Sequence, residues 1–448
     1  MSKMPPYAAT ENACKLCKPL GASLAFRGIE GTVPFLHGSQ GCATYMRRYI
    51  ISHFNEPIDI ASSSLGEKHA VYGGAANLKQ GLDNVIKKYQ PRIIGVATTC
   101  LTETIGDDVP MILAEYKEEA NSQLPELIHV STPSYAGTHM EGFVAAAAAA
   151  AGQLTEQVDK HDGVNLFPGF VSAADLRHLR EIMDDFAIDA AIFPDYSETL
   201  DGEALAEYPL IPKGGTPLHK IRAMGGAKLT IECGWTLPEK TAGTVLAEKF
   251  ATPLARLGWP MGIRATDRFF AELATVSGRE IPKKYRAARG RLVDSLVDCH
   301  KYLSGKKAIV YGEEDLVVGL VSLLVEIGIQ PTLCASGGKS GRFAEAVAEV
   351  VADFAPMPQV YEDVDFYDIE QQAEELEINL LLGHSKGYSF ARRKGLPLVR
   401  VGFPIHDRMG GQRILHLGYH GAQNLVDTIT NTLIAKKQDD SPVGYSYM

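Results

Sequence analysis

The chain has 448 residues, of which 45% are hydrophobic and 22% are charged, and its formal net charge at pH 7 is −10. This length predicts two or three globular domains of about 150 residues each, and the charge argues against nucleic acid or an anionic membrane as a partner. No stretch reads as a signal peptide or a membrane span. Seven cysteines in such a chain indicate a reducing cytoplasm, where thiols stay free.

Short apolar runs alternate with longer amphipathic segments along the whole chain, which predicts an α/β fold built on parallel sheets. In a first block, residues 1–158, the apolar runs 92–99 and 127–130 are predicted strands, and each of them runs into a polar loop. Residues 143–151 are alanine-rich and are predicted to form the helix that leaves this block.

Two further blocks repeat this alternation. The middle block, residues 159–303, opens with a predicted strand at VNLFPGF (164–170) and a helix over 172–186 with Ser172 as its N-cap. The last block, residues 304–448, opens with a strand, a glycine turn and a helix within 306–320. The other predicted elements are 190–193, 216–224, 228–233, 238–250, 285–302, 379–382, 397–402 and 422–437. We therefore expect three similar, doubly wound Rossmann-like domains.

Three cysteines stand in glycine-marked turns, and they are the strongest chemical signal in the chain. Cys17 opens CKPLGAS, Cys42 closes HGSQGC, and Cys100 lies in TTCLTETIGDD. Each lies beside the predicted end of an apolar run, where a doubly wound sheet places its ligands. Three thiolates that converge from loops suit an iron–sulfur cluster, whereas the structural alternative is three inert core thiols. Cys14 forms a C-x-x-C pair with Cys17, but no second pair exists, so zinc is not expected.

Residues around these cysteines extend the candidate site. Gly38 and Gly41 would let the backbone approach a ligand and present N–H groups to an anionic cluster. Ser134 follows the strand after Cys100 and is either an additional, redox-dependent iron ligand or ordinary turn chemistry. Asp107 and Asp108 are interpreted as helix-capping residues, and the alternative is a polar surrounding for the Cys100 sulfur.

The remaining motifs give weaker evidence of a chemical function. GGKSG (337–341) lacks the first glycine of a phosphate loop, because Leu333 occupies that position, and no nucleotide hydrolysis is expected of this chain. Cysteines and histidines elsewhere are interpreted as core or loop residues: Cys233, Cys299, Cys334, His384, His406, His416 and His420.

Taken together, the motifs resemble the β-type subunits of nitrogenase component I, over residues 13–433. The residues that carry the resemblance are CKPLGA, HGSQGC, HFNEP, ASSSLGEKHAVYGG, TTCLTETIGDD, IRATDRFF, RGRLVDSLVDCH and GFPIHDR. The resemblance implies three doubly wound α/β domains and an α2β2 heterotetramer with a homologous α-type subunit. It also implies an [8Fe-7S] P-cluster at the α/β interface, which relays electrons from a separate ATP-hydrolysing iron protein.

The resemblance assigns site residues as well. Cys17, Cys42 and Cys100 match the three cluster cysteines of the β subunit, Gly41 lies in the same cluster motif, and Ser134 matches the nearby serine. The catalytic cofactor of the family belongs to the α subunit. Cys233 falls near the position of the α subunit's cofactor cysteine, but residues 410–413 offer no equivalent of its histidine.

Several family members share this architecture. A working reductase would reduce N2 or a nitrogenase-like substrate such as a methylthio-alkane, whereas the N subunit of the cofactor-assembly scaffold holds a [4Fe-4S] cluster with its partner. Protochlorophyllide and chlorophyllide reductases also carry one [4Fe-4S] cluster. The long N-terminal extension of many nitrogenase β subunits is not expected here, because the first cluster cysteine is residue 17. Retention of all three cysteines and Ser134 favours the larger cluster and a reductase.

Overall fold

The computed structural model describes residues 13–120, 123–352 and 354–444. It contains three parallel sheets of four, four and five strands, and one sheet lies within each of the three predicted blocks. The predicted block boundaries at 158/159 and 303/304 fall in the connections between secondary-structure elements. No helix in the described part of the chain combines the length and the apolar character needed to cross a membrane.

The first sheet carries most of the candidate site. Its strands are β1 (Thr32–His37), β2 (Ala61–Ser62), β3 (Ile93–Thr98) and β4 (Glu126–Val130). The helices of this block are α1 (Lys18–Arg27), α2 (Gln40–Phe54), α3 (His69–Tyr72), α4 (Ala75–Tyr89), α5 (Cys100–Ile105), α6 (Val109–Glu119) and α7 (His139–Leu154). The strand order is β2–β1–β3–β4, so the chain reverses its winding direction between β1 and β3.

The middle sheet has the order β6–β5–β7–β8. Its strands are β5 (His161–Phe167), β6 (Ala190–Ile192), β7 (Ala227–Cys233) and β8 (Leu254–Leu257). Its helices are α8 (Ala173–Asp185), α9 (Leu218–Ala223), α10 (Ala242–Phe250), α11 (Gly262–Ser277) and α12 (Lys283–Leu303).

The last sheet has the order β11–β10–β9–β12–β13. Its strands are β9 (Lys307–Tyr311), β10 (Gln330–Ala335), β11 (Gln359–Tyr361), β12 (Leu380–Gly383) and β13 (Leu398–Arg400). Its helices are α13 (Glu314–Glu326), α14 (Phe343–Val351), α15 (Phe366–Gln372), α16 (Tyr388–Lys394) and α17 (Gly418–Asp439). Short 3-10 turns occur at Ser134–Ala136, Met224–Gly226, Ser385–Gly387 and Gly411–Arg413.

Local chemistry explains where the elements begin and end. Every residue of β1 and β3 is buried, as expected for central parallel strands covered on both faces. The predicted strand at 164–170 ends at Phe167, because Pro168 cannot donate a ladder hydrogen bond and Gly169 turns the chain at φ +79°. Helix α7 begins before the predicted residue 143, since Thr138 and Glu141 form a capping box.

Two glycines bring α1 and α7 into close contact. A Cβ atom on Gly21 would lie 1.7 Å from the His139 carbonyl oxygen, and one on Gly142 would lie 1.9 Å from the Lys18 carbonyl oxygen. Only glycine permits this backbone approach. The contact places the start of α1, and therefore Cys17, beside the loop that precedes α7.

Candidate functional site

The three motif cysteines all lie at the N-terminal ends of helices. Cys42 is the third residue of α2 and Cys100 is the first residue of α5, and these helices follow β1 and β3, between which the sheet reverses its winding. This is the position where doubly wound sheets bind ligands, as the sequence predicted. For Cys17 the expected strand end is wrong: it is the N-cap of α1 and joins the site through a bridge to Thr138.

Ser134 contacts two of the three thiols, those of Cys17 and Cys100. The Ser134 N–H donates to the Cys100 Sγ at 3.1 Å, and the Cys42 Sγ accepts a hydrogen bond from Ser39 Oγ at 3.3 Å. Burial raises the pKa of Cys17, a hydrogen bond from Ser134 opposes this rise, and the charges of Cys100 and Cys42 add to it. The charge effects on Cys17 place Cys42 and Cys100 in its neighbourhood, and Ser134 contacts both Cys17 and Cys100.

This donor set suits part of a polynuclear cluster and does not suit a single ion. In the described ranges no group of three or more His, Cys, Asp or Glu side chains is arranged to hold one metal ion, and Cys17, Cys42 and Cys100 are half-buried free thiols. A mononuclear zinc site needs four such ligands at bonding distance. A cluster of several irons spaces its thiolates apart, and a cluster shared between two chains takes only part of its ligands from each.

The local field also favours negative charge on the sulfurs. The first N–H groups of a helix lack intrahelical partners, and the helix dipole places partial positive charge there. The ten residues of α1 and the 15 residues of α2 both point such an end toward the site. Helix N-termini stabilise thiolates over thiols, and the thiolate is the form that binds iron.

A lysine that the sequence analysis missed stands close to these thiols. Lys386, in the loop GHSKG after β12, donates from Nζ to the Ala13 carbonyl oxygen at 2.6 Å and lies 5.7 Å from the ring centroid of Tyr49 on α2. Its charge opposes the burial that raises the pKa of Cys17, and burial lowers the pKa of Lys386 itself. No sequence spacing links this loop to Cys17, because only the packing of the last domain against the first brings them together.

His37 fastens the loop that leads to Cys42. Its Nδ1 lies 2.9 Å from Ser63 Oγ and its Nε2 lies 3.0 Å from Asp107 Oδ2. Burial lowers the pKa of His37, and the charge of Asp107 partly offsets that effect. The ring therefore ties the ends of two strands and one loop together beneath the thiols.

The two aspartates of the Cys100 motif have different partners. Asp108 caps α6 by accepting the Met111 N–H at 3.0 Å, as predicted. Asp107 does not cap the helix that follows it; its carboxylate accepts the Gly74 N–H at 3.1 Å and contacts His37. Neither carboxylate is bonded to the Cys100 sulfur.

The two glycines of HGSQGC also differ. A Cβ on Gly38 would lie 2.3 Å from Thr99 Oγ1, and the Gly38 N–H donates to Ser63 Oγ at 2.9 Å. The expectation that this N–H faces a ligand is therefore wrong. Gly41 is exposed in the first turn of α2, and a Cβ there would meet only Ser39 Oγ, at 3.8 Å. Packing within this chain does not require glycine at position 41, and its open face suits close approach by an external group.

Alanine substitutions are expected to distinguish Gly38, which packs against Thr99, from Gly41, which faces open space. Gly38→Ala should lower the free energy of unfolding by about 1–3 kcal/mol, because Thr99 has to move. Gly41→Ala is the matched control in the same loop and should leave that free energy nearly unchanged. Urea unfolding of both variants measures the difference, and equal stabilities would contradict the packing role of Gly38.

The remaining cysteines lie in or against the core. Cys14, Cys233 and Cys334 are buried and Cys299 is half-buried on α12. Burial raises the pKa of Cys233 to about 12 and raises the pKa values of Cys14 and Cys334 as well. Thiols in such surroundings are unreactive, in agreement with their interpretation as packing residues.

The glycine-rich loop GGKSG is occupied by the chain's own carboxylates. The Ser340 N–H donates to Glu314 Oε1 and the Gly341 N–H donates to Glu362 Oε1, each at 3.1 Å. These are the N–H groups that a phosphate loop would offer to its ligand.

His384 departs from the expectation of a hydrogen-bonded loop histidine. Both of its ring nitrogens are buried without a hydrogen-bond partner among the described residues, whereas the His416 ring keeps one partner, Asp175, at Nδ1. His384 instead packs edge-on against Tyr311 and Phe366. It fills an aromatic cluster in the last domain.

Comparisons of sequence and structure with known proteins all point to one protein family. A family model described as nitrogenase component 1 type oxidoreductase matches residues 17–434. The nitrogenase molybdenum-iron protein beta chain of Clostridium pasteurianum is 36% identical over 430 residues, which cover 95% of this chain and 93% of that protein. The corresponding chain of Methanothermobacter thermautotrophicus is 34% identical and covers 94% of each protein. A solved structure titled nitrogenase Cp1 at pH 6.5 superposes with a TM-score of 0.96 at 33% identity, over 100% of this chain and 98% of the other.

Proposed function

The chain belongs to the nitrogenase component 1 type oxidoreductase family, and from this premise we propose that it holds one side of a P-cluster-type [8Fe-7S] cluster in a component I complex. Its relatives are subunits of an oxidoreductase complex, and it is a subunit of the same kind, similar to nitrogenase molybdenum-iron beta chains. The observation that supports the proposal is the position of Cys17, Cys42 and Cys100 at three neighbouring helix N-termini, with Ser134 against Cys17 and Cys100.

In this proposal Cys17, Cys42 and Cys100 would hold iron through their thiolates, and cysteines of an α-type partner would supply the remaining ligands. When bound, such a cluster supplies one-electron storage and transfer. This chain's own residues would hold and tune that site. The starts of α1 and α2 stabilise negative charge, Lys386 adds a nearby ammonium group, and Ser134 holds the Cys100 sulfur in place through its N–H.

We assign the chain to an α2β2 heterotetramer in the cytoplasm, with a homologous α-type subunit and an ATP-hydrolysing iron protein as the electron donor. Two exposed aromatic residues beside the thiols support an interface there: Tyr45 on α2 is 46% exposed and Tyr135, next to Ser134, is 68% exposed. Large apolar side chains at the edge of a functional site are typical of subunit contacts. The catalytic metallocofactor would then lie in the α subunit, and this chain would relay electrons to it.

For the substrate, we propose N2 or a nitrogenase-like substrate such as a methylthio-alkane. The names of the relatives favour N2, since they are nitrogenase chains. The other candidate function is the N subunit of the cofactor-assembly scaffold with a [4Fe-4S] cluster. The three converging thiols favour the larger cluster, because more irons need more ligands.

Iron content and EPR spectra of the complex, purified anaerobically with its native α-type partner, test this proposal. We expect about eight irons per αβ interface, EPR-silent when reduced and with a high-spin signal on stepwise oxidation, as a P-cluster-type site requires. About four irons with an S = 1/2 signal on reduction would contradict it and indicate the scaffold role. Assays of the same complex for ammonia from N2 and for a thiol from a methylthio-alkane would then distinguish the two substrates.

A further inference from the structure

A cavity of about 360 Å³ lies away from the thiols, between the first and middle domains. It is enclosed by the end of α1, by residues 56–59 after α2, and by the long loop 198–214 that precedes α9. The loop is anchored to α1, because Thr199 Oγ1 donates to the Arg27 carbonyl oxygen at 2.8 Å. A cavity of this size is large enough for a small organic ligand.

Arg27 lines this cavity with an unpaired guanidinium group. The side chain is only 4% exposed, and its Nε is buried without a hydrogen-bond partner. Among the described residues no side chain forms an ion pair or a hydrogen bond with this guanidinium. Burial lowers the pKa of Arg27 to about 10, although the charge of Asp59 opposes the change, so the group is charged at neutral pH. A buried charge without a partner is strongly unfavourable, which makes an external anion the expected partner.

Four carboxylates line the cavity, those of Glu56, Asp59, Glu198 and Glu203, and among the described residues none of them forms an ion pair with Arg27. Asp59 accepts the Tyr89 hydroxyl at 2.7 Å and lies 3.4 Å from Arg47. Glu198 lies 3.6 Å from Arg177. The four carboxylates together add negative potential that disfavours a multiply charged anion.

We propose that this cavity binds a small monocarboxylate with an apolar body, whose carboxylate pairs with Arg27. The planar guanidinium matches a carboxylate through two parallel hydrogen bonds. The outer wall supplies apolar surface for the body of the ligand: Tyr208 is 65% exposed and Leu210 is 58% exposed, and Pro57 and Leu205 lie beside them. Lys213 also lines the cavity and adds a second positive charge. This inference is independent of the cluster proposed above.

Calorimetric titration of the assembled complex with hexanoate tests the proposal, with 1-hexanol and hexylammonium as controls of the same chain length. Hexanoate should bind at least about tenfold more tightly than either control, because a charge-assisted bidentate pair is worth that factor. Arg27→Met should abolish the preference for hexanoate. Arg27→Lys keeps the charge without the planar fork and should restore part of it.

Thermal unfolding shows whether Arg27→Met changes the stability of the fold, and it therefore separates a loss of binding from a folding defect. Without ligand, Arg27→Met should unfold at the same or a higher temperature than the unaltered protein, since it removes an unpaired buried charge. A clearly lower unfolding temperature would overturn the proposal, because the guanidinium would then serve the fold. Absence of hexanoate binding by the complex, or equal binding by Arg27→Met, would also overturn it.

Discussion

Replacing Cys42 by alanine is expected to remove the iron of the proposed interfacial cluster and to loosen the contact with the proposed α-type partner in the same step. The reason lies in the position of Cys42 on α2, between Cys17 and Cys100, where its loss leaves the cluster with two thiolates from this chain. Metal–thiolate bonds that join two chains contribute directly to their association. Iron content per αβ pair and the mass of the assembly, both measured anaerobically, report the two effects.

Cys299→Ala is the matched control for this experiment. Cys299 is also a half-buried free thiol, but it lies on α12 in the middle domain and takes no part in the site. It should keep the full iron content and an intact assembly, so that loss of iron is specific to the site cysteine. A Cys42→Ala complex with undiminished iron would refute the cluster assignment, and an iron-free but intact complex would refute the role of the cluster in the interface.

Much of the fold follows from local signals in the sequence. The apolar run 92–99 predicts β3, and Ser172 marks the start of α8, because a fully buried parallel strand and a capping serine each carry their own pattern. Strand β2 escaped prediction. β2 spans only Ala61–Ser62, and its two residues pair with β1 through tertiary contact, which no local pattern encodes.

In the candidate site, too, local sequence signals predict the position of some residues, whereas tertiary packing determines the position of others. Cys42 and Cys100 could be placed from sequence because each follows an apolar strand, and parallel strands bring their carboxyl ends to one edge. Cys17 could not be placed in this way, since its position depends on the close contact between α1 and α7 at Gly21 and Gly142. Lys386 was missed for a stronger reason: it is separated from Cys17 by most of the chain and arrives through domain packing.

One buried carboxylate, Asp175, helps to join the middle and last domains, and Asp175→Ala should destabilise the protein strongly. Asp175, on α8, is fully buried and accepts the N–H groups of His416 at 2.7 Å, Leu417 at 2.9 Å and Ser172 at 3.1 Å. The His416 Nδ1 lies 2.8 Å from Asp175 Oδ2. Removing the carboxylate leaves these donors buried and unpaired, so the expected loss is on the order of 3–5 kcal/mol of unfolding free energy.

The ionisation of Asp175 predicts how the stability of the protein changes with pH. Burial alone would raise the pKa of Asp175, but the charge and hydrogen bonds of His416, with the Leu417 N–H, hold it below its ordinary value. The stabilisation is therefore complete above the ordinary aspartate pKa of about 4 and is lost as the pH falls through the lower folded-state pKa. Asp175→Ala should remove this acid-dependent loss as well as lowering stability at neutral pH.

Guanidinium unfolding between acid and neutral pH, followed by circular dichroism, measures both effects. Asp184→Asn is the matched control, because Asp184 is exposed on the same helix, and it should change the unfolding free energy little. If Asp175→Ala unfolded like this control, the contact between α8 and the start of α17 would not hold the two domains together. If the variant were destabilised equally at every pH, the lost contacts would stabilise the protein without the proposed charge linkage, because that linkage requires the ionised form of Asp175 to stabilise the fold more than the protonated form.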